Sequence, residues 1–389
     1  MQIIYWLSLL IVFYAFAGYG LLLYIIIKVR RAVQGRPKLP GMENLPPVTL
    51  VIAAYNEADI MEAKIQNTLA LQYPANKLHF LFTTDGSNDN SPEIIAKYPQ
   101  IKMLHSPERR GKMHAMHRAM SQVHTEVVVF TDANTFLNNE AIINIARHYS
   151  DKKVGAVSGE KRVLVSDVSD ATAGEGFYWK YESALKKWDS ELYSVMGAAG
   201  ELFSVRRELY EAVPADTILD DFMISMLIVQ KGYRIVYEPD AYATESSSAN
   251  VKEELKRKVR IAAGGIQSIL RLKKLLNPFA YPVVSFQYIS HRVLRWTVTP
   301  FLMILAFLLN IVLAIQFQSM VYSVFLVSQI LFYGMALLGW IMDQRKIKVK
   351  IFFIPYYFCV MNYAVVAGIY RYLFKEQSAV WEKAKRKSA

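Results

Sequence analysis

Four blocks of this chain are apolar almost without interruption. Between the first and second lies a long segment whose apolar runs are short and regularly spaced. Residues 3–27 hold no charged side chain, which exceeds the roughly 20 residues a bilayer core requires. Blocks at 297–315 and 319–342 are each long enough to span, and 351–373 is a fourth candidate. Ala15-Phe16-Ala17 has the outline of a cleavage site, but no basic stretch precedes it and the apolar run continues to Ile27. The first block therefore reads as an uncleaved anchor.

The intervening segment predicts alternating strands and helices. Strands are expected at 48–54, 78–83, 101–104 and 126–130, with helices at 59–71, 91–97 and 112–122. The runs do not alternate cleanly between apolar and polar, which suggests a parallel sheet covered on both faces. The expected fold class is α/β, a doubly wound sheet, joined to α-helical transmembrane and interfacial segments. A Pro-rich linker (Pro37, Pro40, Pro46, Pro47) precedes it.

Charge sharpens this division. The chain carries a formal net charge of +12 over 389 residues. Residues 1–43 contribute +4, residues 44–251 contribute −7 and residues 252–389 contribute +15. A basic soluble domain would suggest nucleic acid; here that domain is acidic, so a nucleic-acid partner is excluded. The positive charge lies beside the membrane segments, where it favours an anionic leaflet and sets topology. Lys28, Arg30, Arg31, Arg36 and Lys38 directly follow the first span, which puts the N-terminus outside and the acidic segment in the cytoplasm. The lone cysteine, Cys359, rules out an intrachain disulfide and reads as a buried thiol.

From Lys252 to Leu276 basic residues alternate with aliphatic ones, an amphipathic interfacial pattern. Gly264-Gly265 is expected to break it into two helices. Residues 279–296, with His291, Arg292 and Arg295, read as a second interface segment. The neutral loop 316–319 suits the outside, and Arg345, Lys346, Lys348 and Lys350 suit the inside. A full crossing by 351–373 would then export Lys375, Lys383, Lys385, Arg386 and Lys387. The segment is therefore expected to be re-entrant or interfacial around Pro355 and Asn362.

Three acidic clusters stand at or after predicted strands. Asp132, with Asn134 two residues on, follows a buried run, where open α/β sheets place ligand chemistry. A carboxylate and an amide carbonyl so spaced can face one hard divalent cation, although such an Asp also commonly makes an Asx-turn. Asp85-Gly86-Ser87 alone is a common turn. Asp220-Asp221 precedes a helical run and could serve only as its N-cap. Arg109-Arg110-Gly111-Lys112 puts cations before a helix N-terminus, a favourable place for phosphates; unaided, it reads as a solvated basic loop.

Taken in order, these pieces resemble the membrane-embedded family-2 glycosyltransferases, the inverting, nucleotide-sugar-using group with the GT-A fold that includes cellulose, chitin and hyaluronan synthases. The matching residues are Ala54-Tyr55-Asn56-Glu57, Thr84-Asp85-Gly86-Ser87-Asn88-Asp89, Arg109-Arg110-Gly111-Lys112 with Ala115, Asp132-Ala133-Asn134, Leu219-Asp220-Asp221 with Ile224-Ser225, and Arg257 to Ile261. They cover more than half of the chain. The resemblance implies that Ala54, Tyr55, Glu57, Asp85, Arg110, Lys112 and Asp132 bind the nucleotide sugar, and that Asp132 and Asn134 hold Mg²⁺ or Mn²⁺. It also implies that Asp221 is the catalytic base with Asp220 beside it, and that Arg260 and Arg257 serve the diphosphate and acceptor side.

The chain departs from the family pattern at several positions. Asn134 replaces a second Asp and Leu219 a Thr. Arg257 and Ile261 replace the outer residues of Gln-x-x-Arg-Trp, leaving only Arg260. Loss of that ring removes about 1 kcal/mol of sugar stacking; Trp179, Trp188 and Trp381 are the candidates to replace it.

The resulting expectation is an anchor at 1–28, a linker at 29–47 and a cytosolic GT-A domain at 48–251. Interface helices at 252–296, a membrane region at 297–373 and a basic tail at 374–389 follow. The implied activity is inverting, metal-dependent transfer from a nucleotide sugar, a UDP-sugar, to a lipid-linked or polysaccharide acceptor at a bacterial-type cytoplasmic membrane. Membrane lipids and other polysaccharide-assembly subunits are the further candidate partners. Two alternatives stand beside it: a processive synthase that translocates its product, and a silent nucleotide-sugar-binding scaffold. A transporter would need more spans and intramembrane charges.

Overall fold

The charge-free opening of the chain is helical. α1 (Gln2–Phe13) and α2 (Tyr19–Gln34) are joined through a π-helical turn at Tyr14–Gly18 into one rod of 33 residues. The computed structural model describes residues 1–37, 39–164, 172–246, 251–345, 347 and 349–374. Lys38, Lys346, Lys348, Trp381 and the basic tail residues Lys375, Lys383, Lys385, Arg386 and Lys387 lie outside them. The described residues pack into two units, one of residues 1–29, 172–185 and 251–374, the other of residues 30–164 and 186–246.

In the second unit β1 (Val48–Ala54), α3 (Ala58–Leu69), β2 (Leu78–Asp85), α4 (Ser91–Ala96), β3 (Ile101–Ser106), α5 (Lys112–Met120) and β4 (Val127–Asp132) follow in turn. β5 (Phe136–Leu137), α6 (Ala141–Ala146), β6 (Val154–Leu164), α7 (Thr172–Leu192), β7 (Leu202–Arg206), α8 (Asp220–Gln230) and β8 (Arg234–Ser246) complete the series, α7 starting in the first unit. The strands form one sheet in the order β3-β2-β1-β4-β7-β6-β8-β5. β1 is central because Val48, Leu50, Val51 and Ile52 are buried on both faces, as a parallel strand covered by helices demands.

The parallel expectation holds for β3, β2, β1 and β4. Beyond β4 it needs correction: β7 runs antiparallel to both β4 and β6, and β5 antiparallel to β8, so the sheet is mixed. An apolar run reports burial and carries no sign of strand direction. Two strands also run further than their apolar stretches suggest. β2 ends on Asp85 and β4 on Asp132, because backbone pairing continues past the last apolar side chain. In the β1–β4 register Ala53 faces Asp132, and in β1–β2 Ala54 faces Thr84. The carboxyl ends of β1, β2 and β4 thus lie level, and the strand order reverses between β1 and β4. That switch point is where open α/β sheets bind ligands.

The first unit continues with α9 (Val251–Arg271), α10 (Pro282–Tyr288), α11 (Leu294–Trp296), α12 (Thr299–Phe317), α13 (Met320–Gln344) and α14 (Lys350–Leu373). Contrary to expectation, α9 is unbroken at Gly264-Gly265. A Cβ on Gly265 would meet the Trp296 ring at 2.5 Å, so its absence permits close packing that offsets the propensity cost of about 1 kcal/mol. Likewise α14 shows no break at Pro355 or Asn362. Asn362 turns its amide back onto the Phe358 carbonyl at 2.9 Å, and the helix is long and apolar enough to cross a membrane. Three other helices share that property: Gln2–Gln34, Thr299–Phe317 and Met320–Gln344.

This unit has a polar centre. Glu182 receives Arg292 at 2.8 Å and His291 at 3.2 Å, with Arg295 at 3.5 Å. Burial opposes its charge, but Arg292, His291 and Arg295 hold the Glu182 carboxyl well below the usual carboxylate range. The π-helical turn frees carbonyls for partners: Ala15 accepts from Arg295 Nε and Phe16 from the Tyr181 hydroxyl, both at 2.8 Å.

Candidate active site

The sheet's carboxyl edge in the second unit carries the acidic loops. Asp85, only 4% exposed, closes β2 and accepts the backbone N–H groups of Arg110 at 2.9 Å and Gly111 at 2.6 Å. Gly111 has φ of 96°, which favours glycine, and from it α5 starts at Lys112. Arg118, on the same helix, donates to Thr83 Oγ1 and the Thr84 carbonyl and brings a second guanidinium nitrogen within 3.9 Å of Asp85.

Lys112 links the remaining acids. Its Nζ stands 2.8 Å from Asp132 Oδ1 and 3.7 Å from Asp220 Oδ2. Burial works against an ammonium there, but Asp132, Asp220 and Asp221 outweigh it and raise the Lys112 pKa well above the ordinary lysine range. Lys112, Asp132 and Gly200 line a cavity of about 10 Å³, room for about one water molecule.

Asp220 and Asp221 occupy the first turn of α8; the residue before them, Leu219, makes no side-chain cap, and so the two acids are not the N-cap. Ser225 fixes this turn by bonding the Asp221 carbonyl at 2.7 Å and receiving the Ala198 N–H at 3.0 Å. The loop from Gly197 to Gly200 therefore lies close against it, and a Cβ on Gly200 would meet Asp221 Oδ2 at 2.9 Å. Burial, followed by repulsion from Asp220, pushes the Asp221 carboxyl up to about 7, with Lys112 pulling the other way. A carboxyl poised near neutrality suits proton abstraction at physiological pH.

The loop after β1 is fastened to the loop after β2. Asn56 exchanges bonds with Asn88 at 2.7 and 3.0 Å, Glu57 N–H reaches Ser91 Oγ at 3.0 Å, and Ala58 N–H reaches Asp89 at 2.9 Å. Ala54 and Glu57 are buried, and Tyr55 lies under the Arg109 guanidinium at 3.9 Å. Arg110, in contrast, turns its side chain outward onto Glu108. Asn134 sits half-buried in the turn after β4.

Asp85, the Arg110-Gly111 backbone, Lys112, Asp132, Asp220 and Asp221 thus form one connected set. Arg257 and Arg260 lie on α9 in the other unit, where Arg257 pairs with Glu254 at 2.9 Å. Three further residues come into view with the structure. Arg118 and Gly200 gave no sequence signal. Lys64 did: it shares the buried stripe of α3 with Met61, Ile65 and Thr68, an unexpected place for a lysine. Fully buried, it donates to the Thr135 carbonyl at 2.6 Å, and burial pushes its pKa down to about 7 against the pull of Asp132.

Among the described residues no three His, Cys, Asp or Glu side chains close into a cage. The oxygen donors of Asp132 and Asn134, with the buried, non-hydrogen-bonded Oδ2 of Asp220 nearby, fit a hard ion that keeps water and substrate oxygens in its shell, as Mg²⁺ does.

The chain is 27% identical over 255 residues to poly-beta-1,6-N-acetyl-D-glucosamine synthase of Staphylococcus aureus strain MSSA476, covering 64% of this chain and 61% of that one. It is 25% identical over 231 residues to the Staphylococcus epidermidis protein of the same name, covering 58% and 56%. The chain therefore spans about three fifths of the length of these relatives. Among solved structures, a mannosyltransferase from Pyrobaculum calidifontis, in complex with GDP-Man and Mn²⁺, superposes with a TM-score of 0.71 at 23% identity, covering 96% of this chain and 100% of that one. That likeness establishes a GT-A-type mixed α/β sheet with long apolar helices. Residues 49–213, which carry the Asp85, Lys112 and Asp132 loops, match Glycosyl transferase family 2, so that the chain joins a family-2 glycosyltransferase segment to long apolar helices.

Proposed function

We propose that this glycosyltransferase moves a hexosyl or N-acetylhexosaminyl group from a UDP-sugar, with inversion, onto a lipid-linked or polysaccharide acceptor at the cytoplasmic membrane. The observation that carries the reading is the place of Asp221: a half-buried carboxyl in the first turn of α8, next to Asp220 and the ion pairs that Lys112 makes with Asp220 and Asp132, and raised to about 7 by burial and by Asp220. In this reading Asp221 takes the acceptor hydroxyl proton as that oxygen attacks C1. The bond from C1 to the diphosphate oxygen breaks on the opposite face, and the nucleoside diphosphate leaves.

Lys112, in the first turn of α5, suits the diphosphate. Ala54, Tyr55, Glu57 and Asp85 would flank the nucleoside. Asp132 and Asn134 would hold Mg²⁺ or Mn²⁺, whose chemistry is to neutralise the diphosphate as bound donor and as leaving group. Arg260 and Arg257 are assigned to the diphosphate and acceptor side.

A second reading, processive synthesis of an exopolysaccharide, is favoured by similarity to the poly-beta-1,6-N-acetyl-D-glucosamine synthases. Against it stand Arg257 and Ile261 in place of Gln and Trp. Purified protein incubated with radiolabelled nucleotide sugars and membrane lipid, with and without Mn²⁺, tests both. Lipid-extractable single-sugar product supports the first and high polymer the second; no turnover of any donor would refute transfer altogether.

A further inference from the structure

The Lys112 ammonium stands between Asp132 Oδ1 and Asp220 Oδ2 at 2.8 and 3.7 Å. A cation bridging those two acids would have to occupy the same space. Its helix starts from Gly111, whose N–H is held by Asp85, so the backbone at this point is fixed while the four-carbon stem of Lys112 remains free to swing. The Lys112 side chain is 32% exposed and that of Asp132 is 27% exposed, so both can be reached from outside. Two like cations do not share a carboxylate oxygen at this range without strong mutual repulsion. One must leave when the other arrives.

We propose that Lys112 is an exchangeable counter-cation. It neutralises Asp132 and Asp220 until a divalent ion takes its place, and the displaced ammonium then pairs with the donor diphosphate that the ion accompanies. Metal and nucleotide are thereby coupled through a single side chain, since release of Lys112 by one creates a binding group for the other. The inference rests on the donor-binding reading above and adds to it an order of events.

The test uses the full chain in detergent and Mn²⁺ alone, with no nucleotide. Mn²⁺ titration followed by electron paramagnetic resonance should show Lys112→Met binding at least about tenfold more tightly than the unaltered protein, because the competing charge is gone. Lys112→Arg should stay within about threefold of it. Charge removal alone could tighten the ion, so a second readout follows the exchange itself. Amine acylation of the unaltered protein, read by mass spectrometry, should rise at Lys112 when Mn²⁺ is added and should not rise at Lys64.

Unchanged or weaker Mn²⁺ binding in Lys112→Met overturns the proposal, and so does Lys112 reactivity indifferent to Mn²⁺. The acylation readout needs no variant, so a failure of Lys112→Met to fold leaves the proposal open to refutation. Neither measurement involves sugar transfer, and so a failure of the donor assignment would be seen separately, in the donor panel.

Discussion

The backbone N–H of Gly111 is held by the carboxylate of Asp85 at 2.6 Å, so the acid closing one strand sets the start of the helix that carries Lys112. Oδ2 of this acid accepts both the Arg110 and Gly111 N–H groups, whereas the buried Oδ1 accepts no hydrogen bond and has the Arg118 guanidinium 3.9 Å away. Asp85→Ala should release the loop and weaken UDP binding by about tenfold or more, since a charge-assisted pair of bonds is lost. Asp85→Asn, which keeps one carbonyl acceptor, should fall between. Calorimetric titration with UDP and Mn²⁺ measures both, and equal affinity in all three proteins would remove Asp85 from the site.

Gly86 offers an independent check on the same loop. It has φ of 68°, and a Cβ there would meet the Arg109 backbone at 2.7 Å. Gly86→Ala should therefore lower UDP affinity as Asp85→Ala does, with the protein still folded by circular dichroism.

Asp221→Asn should reduce transfer by about a thousandfold, within the range for removal of a general base, while UDP binding stays within about threefold. In the unaltered enzyme the base must be ionised, so the transfer rate should rise about tenfold per pH unit below 7 and level off above it. A flat pH profile, or full activity in Asp221→Asn, would contradict the base assignment.

The half-buried Asp221 and the buried Lys64 should also shape stability against pH, with opposite signs. Folding raises the Asp221 pKa, so the native protein binds the extra proton and stability falls by up to about 1.4 kcal/mol per pH unit between about 4 and 7. Folding lowers the Lys64 pKa to about 7, so the unfolded chain binds the extra proton and stability rises at a similar slope between about 7 and 10. Asp221→Asn should flatten the first limb and Lys64→Met the second, measured as unfolding midpoints across that range. Lys64→Met should in addition loosen the turn holding Asp132, because the bond to the Thr135 carbonyl is lost.

In the helical unit, Gly368 of α14 faces α9 so closely that a Cβ would meet the Ala263 nitrogen and the Val259 carbonyl at 2.8 Å. Backbone lies on the far side, and so no side chain can move aside. Gly368→Leu should destabilise this helix pair by about 1–3 kcal/mol, the usual cost of overpacking, seen as a lower unfolding temperature in detergent. Gly334→Leu, at a glycine with open space around it, should be neutral.

Local pattern alone carried a good deal of this. The apolar blocks gave the long helices, because about 20 uncharged residues in succession suit little else. The buried runs at 48–54, 78–83 and 126–130 gave strands, and the acids closing the last two gave the Asp85 and Asp132 loops, because strand ends and turn chemistry are local properties. The continuous course of α9 through Gly264-Gly265 was not legible, since the compensating Trp296 lies 31 positions further along the chain. The reversal of β7 was equally hidden, since burial of Leu202 and Phe203 looks the same in either direction.

What the chain determined by itself was which residue types end which elements, since backbone preference and apolar period act over a few neighbours. What only tertiary structure decided was their relation. Lys112 lies between Asp132 and Asp220, Gly200 lies against Asp221, and Lys64 is sealed beneath Thr135. Distances and burial of this kind arise from strands and helices far apart in sequence packing together, and they set the charge balance on which any chemistry at this edge of the sheet depends.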